Sequence, residues 1–172
     1  MRDLSLFSPL IDQYAPIHMN VSDAMATDTW IAGFQDQYPS IPLQVYTVND
    51  TQRMDHLFEK GVDRVYTDLR AVQLESGLGA LFSDQKQRFI AHRGDHGGQV
   101  LRENTLSGYV RSWHFLTYLE VDGQLTIDGE VVFGHDDVLG AAFLEHKGTF
   151  ISESTLANLD RIATAVGVSD LF

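Results

Sequence analysis

The sequence predicts an α/β fold built on a parallel sheet, and three observations lead there. Short runs rich in β-branched and aromatic residues alternate with amphipathic helical runs of about 10–15 residues, the signature of βαβ units. Cap and stop residues separate the runs. The apolar runs end in side chains able to do chemistry: His18 and Asn20, Asn49 and Asp50, Asp68, His92 and Arg93, Glu120 and Asp122. In parallel sheets of this kind, ligands gather beyond the carboxyl ends of the strands.

Taken in order, Ile17-His18-Met19-Asn20 reads as a short strand, and Ser22 as the cap of a helix placing Ala26, Trp30, Gly33 and Phe34 on one face. Pro39 and Pro42 end that helix. Leu43 to Val48 is a buried strand, followed by a helix from Thr51 to Lys60 that Asn49 or Asp50 can cap and Gly61 stops. Val62 to Asp68 is a third strand. Ala71 to Arg88 reads as one helix weakened by Gly77 and Gly79. Phe89-Ile90-Ala91 is a strand entering the polar loop His92 to Gly98. A helix capped by Asn104 carries Leu106, Tyr109, Val110 and Trp113 at i, i+3, i+4 and i+7. Thr117 to Asp122 is extended, Val131-Val132-Phe133 continues after the turn at Asp128-Gly129, and Ser154 to Val166 is an amphipathic helix.

Composition narrows the function. The chain has 172 residues, 44% of them hydrophobic, enough for one domain with a core. Lys and Arg number 12 against 24 Asp and Glu, a net charge of −12 that repels nucleic acid and suits cations. No cysteine is present, so disulfides and thiolate chemistry are excluded. No apolar run reaches the roughly 20 residues of a membrane span, and the first residues have no apolar core of signal-peptide type, so a cytoplasmic location is expected.

Two acids at i and i+2 of a strand, Glu120 and Asp122, share one face with Cα atoms about 6.6 Å apart, a spacing that lets them converge on a hard cation. Alternate acids on a strand are also common on solvent-facing surfaces. His92 can exchange a proton near neutral pH, Arg93 offers a fork for a phosphate oxygen, and Gly94, Gly97 and Gly98 let backbone amides approach an anion. His135 stands beside Asp136 and Asp137, which can orient an imidazole. His96, His114 and His146 fit no catalytic or ligand spacing. G-x-G-x-x-G, P-loop, H-E-x-x-H and G-x-S-x-G patterns are all missing.

The order of these pieces carries more than each alone. Phe89-Ile90-Ala91-His92-Arg93-Gly94, Glu103-Asn104-Thr105-Leu106, Glu120-Val121-Asp122-Gly123-Gln124-Leu125-Thr126-Ile127-Asp128-Gly129 and His135-Asp136-Asp137 follow one another in a run that resembles the N-terminal strands of the glycerophosphodiester phosphodiesterase family, a TIM-barrel family of phosphoric diester hydrolases in glycerophospholipid metabolism. That likeness extends over residues 88–160. Residues 14–70, with Gln44 to Asp50 and Gly61 to Asp68, resemble the last three strands of the same barrel, so the order is end before beginning. Strands eight and one are neighbours in a closed barrel, and the two parts can still pair. Arg102 stands where the family usually has proline, and Tyr46 where tryptophan is frequent.

The resemblance implies a partial (β/α) barrel of about five parallel strands with flanking helices, spanning 1–172 as one incomplete or permuted domain. A complete barrel takes about 250 residues. It also implies metal-dependent hydrolysis of a glycerophosphodiester to glycerol 3-phosphate and an alcohol once the barrel is completed, or, alternatively, an inactive or partner-binding member. By the same likeness Glu120 and Asp122 hold Mg²⁺ or Ca²⁺, His92 and His135 form the acid–base pair in either assignment, and Arg93 holds a phosphate oxygen. Asn104 and Tyr46 would contact substrate. The family's middle strand, whose E-x-K end supplies a third metal carboxylate, has no counterpart; Glu145-His146-Lys147 has the spelling but follows the His135 loop too closely. An open sheet edge favours a homo-oligomer or a complementing chain.

Overall fold

A computed structural model describes residues 18–97, 99, 102–168 and 170; Ile17 and Gly98, both given roles above, and the N-terminal stretch before residue 18 lie outside the described residues. The fold is α/β. Five strands lie side by side in chain order: β1 (Met19–Ser22), β2 (Leu43–Tyr46), β3 (Arg64–Thr67), β4 (Phe89–Ala91) and β5 (Tyr118–Leu119). β1 runs parallel to β2 with Met19 opposite Leu43, and β2 parallel to β3 with Val45 opposite Val65. Helices flank this five-stranded parallel sheet, as in part of a (β/α) barrel. No helix among the described residues is long and apolar enough to cross a membrane.

The chain divides into two compact units, one of residues up to 67 with 74–90, the other of 68–73 with 91 onward. In the first unit, helices α1 (Asp28–Gln37) and α2 (Thr51–Glu59) follow β1 and β2. The α1 cap is Thr27, whose hydroxyl accepts from Trp30 N–H, and Ser22 instead ends β1. The helix therefore starts several residues later than the Ser22 reading, because Ser22 is needed to pair with Tyr46. Asp50 caps α2 as read, accepting from Arg53 N–H. Val45, Leu57, Val65, Leu74 and Phe89 are fully buried, and Phe58 and Phe82 stand edge-on to Phe89, both at 5.3 Å.

The single helix read over 71–88 is broken into α3 (Ala71–Leu78), α4 (Ala80–Asp84) and a 3-10 turn at Lys86–Arg88. Gly79 causes the break, since its φ of 51° lies in the left-handed region.

In the second unit, helix α5 (Leu106–Trp113) is capped by Thr105 rather than Asn104. Of its apolar stripe, Leu106, Val110 and Trp113 are exposed, while Tyr109 is buried with Gly108 and Ser112. The extended segment 117–122 is only two residues of strand. Gly123–Leu125 (β6) and Val131–Phe133 (β7) form a separate antiparallel hairpin. Val132, Leu139, Ile151, Leu159 and Ile162 make a small core under α6 (Leu156–Ala165).

Candidate active site

The site lies in the second unit, where residues just past the ends of β3, β4 and β5 meet. Asp68 follows Thr67, His92 follows Ala91, and Glu120 follows Leu119. Glu120 N–H donates to the Ala91 carbonyl at 2.9 Å, which brings the Glu120 backbone beside the β4 end. Strand direction thus supplies the convergence expected at carboxyl ends.

His92 is the centre of the arrangement. Its Nδ1 lies 2.7 Å from Asp68 Oδ1 and its Nε2 lies 3.8 Å from Glu120 Oε2. The Asp68 contact fixes the ring's orientation and directs Nε2 as the proton-exchanging atom. Burial opposes protonation of His92, but the Asp68 hydrogen bond and the Glu120 and Asp68 charges outweigh it and Arg93, holding its pKa above the ordinary histidine value.

Arg93 has a left-handed φ of 53°, unusual for a residue with a side chain. The turn is held at both ends: Arg93 N–H donates to Glu120 Oε2 at 3.1 Å, and its carbonyl accepts from Asn104 N–H at 2.9 Å. Gly94 must follow, for its φ is 84° and a Cβ there would stand 3.1 Å from the Gly108 carbonyl carbon. The guanidinium is spent partly on acids, with Nη1 2.8 Å from Glu103 Oε2 and Nε 3.5 Å from Asp122 Oδ2.

Asn104, also left-handed at φ 56° and 2% exposed, brackets Asp122. Its Nδ2 donates to Asp122 Oδ2 at 3.1 Å, while its Oδ1 accepts from Asp122 N–H at 3.2 Å and from the Tyr109 hydroxyl. Burial, with the Asp122 and Glu120 charges, pushes the Tyr109 phenol well above its usual pKa, so it stays a neutral donor. Asn104 therefore positions Asp122 from beneath, with its amide committed inside the protein.

Glu120 and Asp122 suit a hard cation by donor chemistry. Each has one oxygen in these hydrogen bonds and one outside them, and oxygen-only donors are what Mg²⁺ and Ca²⁺ take.

His135 stands beyond the hairpin. Gly123 pairs with Phe133, and Gly134 N–H donates to the Asp122 carbonyl at 3.0 Å, which puts the His135 backbone at the Asp122 end of β6. Its Nδ1 lies 2.7 Å from Asp136 Oδ1, and the side chain is half exposed. Among the described residues, no hydrogen bond or ion pair joins the His135 side chain to His92, Glu120 or Asp122. Tyr46, 44% exposed, belongs to the first unit and stands edge-on to Tyr66. Glu145 is exposed in a 3-10 segment (Ala141–His146).

Two residues without a role in the sequence reading belong to the cluster. Asp68 is seen there only as a strand end, and His96 fits no spacing, yet His96 Nε2 lies 3.2 Å from Asp68 Oδ1 and 3.1 Å from the His92 carbonyl. The signal for His96 was its place four residues after His92 in a glycine-rich turn, where the chain can fold back. No protein-family model matches this chain, and a comparison with curated proteins returns no match, so the case for function rests on the residues of the site.

Proposed function

We propose that the chain carries a metal-dependent phosphodiesterase site that hydrolyses glycerophosphodiesters to glycerol 3-phosphate and an alcohol. The observation that carries this reading is the convergence of His92, Arg93, Glu120 and Asp122 in one cluster, joined by the Arg93 N–H hydrogen bond to Glu120 and by ion-pair contacts of 3.5 to 3.8 Å. The motif order, with its likeness to glycerophosphodiester phosphodiesterases, supplies the substrate class.

Glu120 and Asp122 hold Mg²⁺ or Ca²⁺, which when bound neutralises phosphate charge and acts as a Lewis acid. His92 exchanges a proton through Nε2, since Nδ1 is engaged by Asp68. His135 has the same arrangement, with Asp136 on Nδ1, and is its partner in acid–base work. Arg93, held by Glu103, turns its remaining amino group to a non-bridging phosphate oxygen. Five strands fall short of the eight of a full barrel. Turnover then depends on further strands, from another copy or a complementing chain, to close the site.

A second reading, a partner-binding member without turnover, is favoured by the exposed apolar stripe Leu106, Val110 and Trp113 on α5. One assay separates the two. Full-length protein over a range of concentrations is given glycerophosphocholine or bis(p-nitrophenyl) phosphate with Mg²⁺, Ca²⁺ or EDTA. The enzyme reading expects metal-dependent turnover that falls at least about 100-fold in His92→Ala. Folded protein with no turnover at any concentration overturns it in favour of the binding reading.

A further inference from the structure

Beside the oxygen-only pair lies a second donor set of different chemistry. Asp68, His92 and His96 each offer one atom, and these atoms all lie within 4.8 Å of one another. His96 is 1% exposed, and its Nδ1 is buried without a hydrogen-bond partner among the described residues. A buried ring nitrogen left unpaired costs stability unless some state of the molecule uses it.

We propose that Asp68, His92 and His96 form a separate site for a borderline divalent cation of the Zn²⁺ class. Two imidazoles and a carboxylate are a zinc-type donor set, whereas Glu120 and Asp122 are a hard-cation pair. A tetrahedral site with bonds of about 2.0–2.1 Å has donors about 3.3 Å apart. His96 Nε2 and Asp68 Oδ1, at 3.2 Å, already stand at that spacing, and the 2.7 Å pair of Asp68 and His92 has to open by roughly half an ångström.

The orphaned nitrogen is explained by the same site. Coordination through His96 Nε2 moves that ring's proton to Nδ1, where Glu103 Oε1, 4.0 Å away, is the nearby carboxylate that can close on it. Coordination through His92 Nδ1 leaves Nε2–H facing Glu120 Oε2 at 3.8 Å. Each ligating histidine thus has a carboxylate within 4.0 Å of its far nitrogen, and closing that gap on binding would give the outer arrangement that orients imidazole ligands and strengthens them. Binding gives up the His96 hydrogen bond to the His92 carbonyl.

One consequence rests on the phosphodiesterase reading: a cation on His92 Nδ1 keeps the ring's proton on Nε2, which then cannot accept one, so Zn²⁺ inhibits where Mg²⁺ or Ca²⁺ supports turnover.

The site is tested by binding, not turnover. Full-length protein is titrated with Zn²⁺ against a chromophoric chelator, and the imidazole nitrogens of the unsubstituted protein are followed by ¹⁵N NMR. One equivalent is expected to bind, shifting His92 Nδ1 and His96 Nε2. His96→Gln and Asp68→Asn lower the affinity at least tenfold, Glu103→Gln about tenfold, and Asp122→Asn leaves it unchanged. The proposal is overturned if no equivalent binds to folded protein, or if the shifts fall on His56, His114 or His146 instead. The NMR readout needs no variant to fold. Zn²⁺ binding without any turnover sinks the phosphodiesterase reading alone; turnover without Zn²⁺ binding sinks this site alone.

Discussion

Asn104 shows how one buried residue can hold a neighbouring carboxylate in place. Its amide accepts from Tyr109 and from Asp122 N–H and donates to Asp122, all within a nearly closed space. Asn104→Ala removes these bonds, strands the buried Tyr109 hydroxyl, and leaves alanine at a φ of 56°. We expect a loss of about 3 kcal/mol in urea denaturation, of which about 1 kcal/mol is backbone strain. Tyr109→Phe, which removes the hydroxyl as well as its bond, is expected to cost only about 1 kcal/mol. Equal losses in the two variants would remove the bracketing role. The resemblance implies that Asn104 contacts substrate, an expectation that motif spelling carries because it records residue type and neighbours in sequence. Whether a carboxylate lies over the amide depends on Asp122, 18 residues on.

At the scale of elements, the N-terminus of α5 is held by Asp170, which accepts from Ser107 N–H at 2.8 Å. Partial burial raises the Asp170 pKa, but the Ser107 hydrogen bonds and the Arg111 charge outweigh it and hold the carboxyl below its ordinary 3.8. A carboxyl whose folded pKa is depressed stabilises the fold above its unfolded pKa and loses that contribution as pH falls through the folded value. Asp170→Asn is thus expected to lower stability by about 0.5 kcal/mol at neutral pH, with the gap to the parent closing below pH 3.8. Urea midpoints across the acid range check this; a gap independent of pH would assign the contact no charge component. In the small core under α6, Leu159→Ala leaves a cavity among Val132, Leu139, Ile151 and Ile162 and is expected to cost about 2–5 kcal/mol. The helical period of α5 was legible, but not which face it buries. Leu106, Val110 and Trp113 repeat as a buried stripe does, yet Tyr109 turns inward because its hydroxyl has Asn104 to reach.

Over the whole molecule, twice as many acids as bases leave a charge of −12. An anionic diester is repelled at long range by such a field, and salt screens that repulsion. If the phosphodiesterase reading holds, kcat/KM for bis(p-nitrophenyl) phosphate rises several-fold between about 10 and 150 mM ionic strength. Glycerophosphocholine, with no net charge, changes less. Equal responses would mean that local site charges, rather than the global field, control approach.

What the chain could announce alone was whatever local periodicity and order along the backbone encode. The alternation of helix and strand, the cap at Asp50, and the arrival of His92, Arg93 and Glu120 at strand ends all follow from spacing within about ten residues. Only the folded chain decided that Asp68 and His96 join His92, that Asn104 grips Asp122, and that Leu106, Val110 and Trp113 on α5 face water while Tyr109 turns inward. Those contacts close loops of 18 to 28 residues or choose between two faces of one helix. Such choices are made by which partners pack, and no periodic pattern records them.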